Sequence, residues 1–166
     1  MITCKYCGQA LDFIGEFEAE TYFNCSFCKI VFPFSETSVD RKRKNSVPSF
    51  YENNYYVPTK ELLKRNTISL YYVLKDIRSA WYQLRISLDN LKKALKETDK
   101  ETDKKSIEEL MNELNDEFID LSKRRCSVEN IILERTGFFP EKITEQFLCE
   151  LIEQGIKASQ KPMNFK

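Results

Sequence analysis

Cys4-Lys5-Tyr6-Cys7-Gly8 and, after it, Cys25-Ser26-Phe27-Cys28 open the chain with two Cys-x-x-Cys pairs separated by 17 residues. Two residues between thiols let a tight turn aim both sulfurs at one ion. An intervening hairpin of this length brings the second pair round to close a tetrahedral site. Zinc is the expected ion, with disulfides or an iron-binding version of the same knuckles as alternatives. Four protein thiolates leave no coordination position for water or substrate, so the metal is expected to be structural and not catalytic.

Working outward, the composition divides the 166 residues unevenly. Four of the six cysteines lie before residue 35, whereas the sequence beyond about residue 59 is rich in Leu, Lys and Glu. A module as short as the first part cannot bury enough apolar surface to fold unaided, and a bound metal then supplies folding free energy. The expected division is 1–34 for the metal module, 35–58 for a linker, and 59–166 for a helical part.

The pattern around the cysteines carries a resemblance. Cys-x-x-Cys-Gly is followed by apolar Leu11, a polar loop, Tyr22-Phe23 leading into the second pair, and Ile30-Val31-Phe32 leading out. Over residues 2–34 this resembles the zinc-ribbon family. The resemblance implies a small three-stranded β module with Cys4, Cys7, Cys25 and Cys28 as metal ligands. It implies no activity, because ribbons serve many unrelated factors. Lys29 stands where many ribbons repeat the glycine found here at Gly8, a position that suits a left-handed residue. Glu16, Glu18 and Glu20 alternate in the inter-knuckle loop and would repel a phosphate backbone.

The linker holds the basic run Arg41, Lys42, Arg43, Lys44, with Pro48 and Pro58 breaking regular structure and Phe50, Tyr51, Tyr55 and Tyr56 expected to pin it to the helices. From about Thr59 to Glu97, Leu70, Leu74, Ile77, Trp81, Leu84, Leu88, Leu91 and Leu95 recur at spacings of four and three. A second seam, Ile107, Met111, Leu114, Phe118, Leu121, Arg125, Val128 and Ile132, follows with one polar interruption. Between them the tandem Glu-Thr-Asp-Lys of residues 97–104 reads as a loop, and Ser106 with Glu109 reads as a capping box that starts the second helix.

Two long helices joined this way fold back antiparallel. Residues 60–97 carry nine cations against four anions and 101–135 six against ten, so the helices attract. Gly137 suits a C-cap, and Pro140 the first turn of a third helix carrying Ile143, Phe147, Leu148 and Leu151. Cys126 and Cys149 are read as buried structural thiols. The expected fold is mainly α with a small β zinc ribbon: a four-cysteine N-terminal ribbon, an antiparallel long-helix hairpin and a C-terminal helix.

Function is less constrained. Lys plus Arg and Asp plus Glu balance at 26 each, so the chain is no basic nucleic-acid coat. The sequence contains no histidine, which removes Ser-His-Asp and Cys-His catalysis, and no Gly-rich phosphate loop, so no enzyme is expected. Lacking a signal-like N-terminus and any run of roughly 18 apolar residues, the chain is read as cytoplasmic and free of membrane. A non-catalytic adaptor or regulator with a protein partner is the leading expectation, with homo-oligomers through the hairpin allowed. The alternative is nucleic-acid binding: with the hairpin centred near residue 101, Lys75, Arg78, Lys123, Arg124 and Arg125 would gather at its open end, near the run Arg41 to Lys44, a patch suited to nucleic acid or to an acidic protein.

Overall fold

The computed structural model describes residues 1–44, 47 and 54–164. The remainder, including Pro48, Phe50 and Tyr51 of the expected linker contacts, lie outside the described residues. The chain divides into two compact units, Met1–Pro48 with Cys149–Lys166, and Ser49–Leu148.

The first unit holds five short strands. β1 (Ile2–Thr3) pairs antiparallel with β5 (Ser38–Val39), and β2 (Asp12–Phe17), β3 (Glu20–Cys25) and β4 (Ile30–Pro33) form an antiparallel sheet in that order. Two residues with positive φ, Glu18 (50°) and Ala19 (64°), turn β2 into β3, the backbone geometry that matches the twist of a two-residue hairpin. Phe23 pairs with both Phe13 and Phe32, so these side chains share one face with Cys25. That inner face meets the buried cluster of Cys4, Cys25 and Phe32, with Leu11, Cys7 and Cys28 packed around it. The chain's last described residues return here: Pro162 bridges Lys42, the Met163 amide donates to the Arg41 carbonyl at 2.9 Å, and Met163 is buried.

The second unit is built on α2 (Thr67–Glu97) and α3 (Glu101–Thr136), preceded by the single-turn α1 (Thr59–Leu62). The first helix does not run unbroken from Thr59. Asn66 interrupts it and caps α2, its Oδ1 accepting from the Ser69 amide at 2.8 Å, as an Asn N-cap does. α3 starts at Glu101 and not at Ser106. Glu101 and Asp103 in its first turn favour the positive end of the helix dipole, so the second Glu-Thr-Asp-Lys copy becomes helical. Ser106 donates back to the Thr102 carbonyl at 3.3 Å instead of capping. Gly137 closes α3 as expected, with φ 80° and its amide on the Leu133 carbonyl at 2.8 Å. Pro140 lies in the connection, and α4 (Glu145–Gln160) starts later, with Thr144 Oγ1 accepting from the Phe147 amide at 3.1 Å.

α2 and α3 are antiparallel, since Trp81 meets Phe118 and Ser122 while Arg78 meets Glu129. Their common core lies at the open end. Leu70, Val73, Leu74 and Ile77 of α2 and Val128, Ile131 and Ile132 of α3 are buried, together with Leu62 and Leu148. Toward the loop Leu84, Leu91 and Leu95 face Ile107, Met111 and Leu114, all only half-buried. Two helices alone cannot enclose a seam, so burial is most continuous where α1 and the start of α4 add cover, while in the loop-side half of α2 Leu88 is the one buried leucine among the described residues. Cys126 and Cys149 are exposed, contrary to their reading as buried thiols. Each directly follows a residue of the buried or half-buried stripe, Arg125 or Leu148, and so faces about 100° away from it.

Trp81 stacks on Phe118 at 5.0 Å, and its Nε1 donates to Ser122 Oγ at 2.9 Å, both half-buried. A Trp81→Ala change is expected to cost about 3 kcal/mol, the low end for a large aromatic, because the site is partly open; chemical denaturation followed by circular dichroism measures it, and an unchanged midpoint would refute the seam. Asp76 of α2 has its carboxyl held above the usual range, chiefly by burial, with Lys75 opposing and Glu145 adding. A carboxyl whose folded pKa is raised costs stability above that pKa, and the cost vanishes as pH falls below its unfolded value. Asp76→Asn is therefore expected to raise the melting temperature at neutral pH, with the gain fading toward about pH 4.

Candidate metal centre

Each Cys-x-x-Cys sits on the same local turn. The Gly8 amide donates to the Cys4 carbonyl at 2.9 Å, and the Lys29 amide to the Cys25 carbonyl at 2.8 Å. Gly8 has φ 75° and Lys29 φ 57°, so Lys29 adopts the left-handed backbone that glycine would take without strain. The turns also point amides at sulfur: Tyr6 N lies 3.4 Å from Cys4 Sγ and Cys28 N 3.3 Å from Cys25 Sγ. Gly8 has a second reason to be glycine, since a Cβ there would stand 3.0 Å from Met163 Cβ.

The two turns face each other across the end of the sheet. Cys4 and Cys28 sulfurs are 3.8 Å apart, Cys7 and Cys25 sulfurs 3.6 Å, and all four lie within 4.8 Å of one another. A tetrahedral ion with metal–sulfur bonds of about 2.3 Å needs sulfurs about 3.8 Å apart, so the donor set fits a metal ion. All four cysteines are free of disulfides. Among the described residues this is the one group of three or more Cys, His, Asp or Glu side chains arranged to hold a cation.

The thiols do not ionise alike. Burial works against Cys4, yet backbone amides and the neighbouring Cys25 and Cys7 thiols bring it down to about 7. Burial and the adjoining Cys7 and Cys4 push Cys28 up to about 12, and burial raises Cys7 as well. One thiolate makes the next costly unless a cation joins them. Lys5, beside Cys4, turns from the sulfurs to an ion pair with Glu36, its ammonium 5.1 Å from the Phe32 ring centre.

The basic candidates are dispersed in use. Arg78 donates from Nη1 to the carbonyls of Pro140 (2.7 Å) and Glu141 (2.9 Å) and from Nη2 to Glu129 Oε1 (2.9 Å). Arg124 pairs with Asp120 at 2.6 Å, donates to the Tyr55 carbonyl at 3.0 Å and lies 5.0 Å from the centre of the Tyr56 ring. Arg125 stacks over Trp81 at 4.6 Å with Glu129 3.9 Å away, and Lys75 pairs with Glu145. Lys123 is exposed. In the other unit, Lys44 Nζ donates to the Ser35 carbonyl at 2.7 Å, Arg41 and Lys42 meet Met163 and Pro162, and Arg43 is exposed. Arg78 and Lys75 thus meet acids where a facing cluster of cations had been expected. Sequence reasoning missed Arg135, whose guanidinium caps α1 through the Leu63 and Arg65 carbonyls, both at 2.6 Å, and Met163, which no periodicity announces.

Among the described residues no helix is long and apolar enough to cross a membrane. Comparison with protein-family models, with curated proteins and with solved structures finds no match for this chain.

Proposed function

We propose that this is a non-catalytic zinc-binding adaptor or regulatory protein of the cytoplasm, acting through protein–protein contact. The observation that carries the reading is the sulfur geometry: four thiols within 4.8 Å with no other donor type in the group. Such a set suits zinc, fills its coordination shell and leaves no position for a substrate, so the ion's part is to hold the ribbon's shape. Absence of histidine from the sequence supports a role without acid–base chemistry. A protein partner is favoured over nucleic acid because Arg78 and Arg124 already spend their donors on protein oxygens. Phosphate contacts would have to compete with those bonds.

The purified protein is expected to be colourless with one zinc per chain by elemental analysis; stoichiometric iron, or oxidised thiols without metal, would overturn the assignment. Cys25→Ser is expected to release the metal and unfold the ribbon while most helical circular dichroism persists, because α2 and α3 have their own core. Loss of all helicity would show that both units fold as one.

The adaptor reading is tested by affinity capture from native lysate with and without nuclease. Protein partners retained after nuclease treatment are expected. Capture abolished by nuclease, with salt-sensitive retention of purified nucleic acid, would replace this reading by the nucleic-acid one.

A further inference from the structure

The three-stranded sheet has an inner face turned to the thiol cluster and an outer face of unusual composition. Strand register places Phe17, Tyr22 and Val31 on the outer face together with Asp12 and Glu20. A sheet with one face in water normally presents polar side chains there. Here Phe17 is 61% and Val31 53% exposed, and the Phe17 ring meets Tyr22 edge-on at 5.9 Å. Gly15, between Asp12 and Phe17, adds no side chain to this face, so one flank of the Phe17 ring stays bare.

The hairpin that supplies most of this face is acidic. Asp12, Glu16, Glu18 and Glu20 lie in a stretch, residues 6–28, that contains no Lys or Arg. Among the described residues no ion pair reaches any of these four carboxylates; Glu20 accepts only from Ser35 Oγ, at 3.0 Å. β2 is also an edge strand, since the order is β2-β3-β4. On its far side alternate residues present N–H and C=O groups without a strand partner.

We propose that β2 and the outer face bind a cationic, extended segment of a partner protein, one in which Arg or Lys alternates with apolar residues. The segment adds a strand to β2, an arginine lies over the Phe17 and Tyr22 rings, and further cations meet Asp12 on the same face and Glu18 in the adjoining turn. Nucleic acid is repelled by the same carboxylates. A second copy placed symmetrically would bring four more carboxylates against these four. Of the chain's own basic run, Lys44 is bonded to the Ser35 carbonyl. This inference rests on the adaptor reading and names the partner's chemistry.

The test uses the zinc-loaded full-length protein and a fluorescein-labelled peptide of alternating arginine and valine, with a glutamate-for-arginine peptide as control. Fluorescence anisotropy is expected to show salt-sensitive binding of the arginine peptide alone, with amide NMR shifts confined to residues 12–24 and 30–33. Phe17→Ala and Glu18→Lys are each expected to weaken it about tenfold or more, with zinc content unchanged. Equal binding of both peptides, or binding indifferent to Phe17→Ala and Glu18→Lys, overturns the proposal. Concentration-dependent self-association in sedimentation that Phe17→Ala abolishes also overturns it, by making a second copy the occupant. A captured lysate protein insensitive to Phe17→Ala but lost on hairpin substitutions leaves the adaptor reading standing and removes this face from it.

Discussion

Four sulfur atoms held within 4.8 Å of one another are the constraint on which the N-terminal unit rests. Its buried core is little more than Cys4, Cys25 and Phe32, too small to offset the entropy of ordering five strands. Burial, together with the neighbouring thiols, pushes Cys28 up, while backbone amides and the neighbouring thiols bring Cys4 down, and thiolates so close also repel. A cation held by the four thiols would reverse that sign and supply stability that the small core cannot. The same centre organises what surrounds it: the Gly8 turn fixes one sulfur pair and offers the flat surface against which Met163 is buried.

The helical unit solves its problem differently. With only two long helices its seam is closed at one end, and the chain must bring irregular segments over that end to complete the core. Backbone carbonyls in such segments need donors, and arginines supply them. Arg78 serves Pro140 and Glu141, Arg124 serves Tyr55, and Arg135 serves Leu63 and Arg65. The planar guanidinium with its five donors can serve two acceptors and a ring face at once, which a lysine ammonium cannot. Arg78 and Arg124, two of the cations that the sequence groups at one end of the hairpin, fasten connecting segments onto the helices in this way.

What the sequence disclosed follows from this contrast. Cysteine spacing and heptad periodicity are local signals, and they located the four-thiol cluster with its small antiparallel β region and both long helices. Signals that depend on competition between neighbouring options were harder to read. Ser106 and Glu109 make a capping box on paper, but the helix starts five residues earlier, with acidic Glu101 and Asp103 in its first turn. Pro140 can begin a helix, yet its carbonyl is held by Arg78 and Thr144 caps α4 instead. Cys126 and Cys149 lie beside apolar stripe positions, and one step of about 100° around a helix separates buried from exposed. The partners of Arg78, Arg124 and Met163 are set by tertiary geometry, which no spacing rule encodes.

The distribution of exposed apolar surface then separates the roles of the two units. Helix positions outside the seam are largely charged, the ordinary coat of a solvated helix pair, and an isolated Ile86 or Ile119 there needs no explanation. In the ribbon, Phe13, Phe17, Phe27, Val31 and Phe34 are all more than half exposed within a unit that has almost no core of its own. A metal centre permits this. Where coordination by the four thiols, and not apolar burial, holds the fold, aromatic side chains are released from the interior and can be presented outward on a rigid scaffold. Helices stabilised by a seam have no such freedom, since every apolar residue moved outward is taken from the core that holds them.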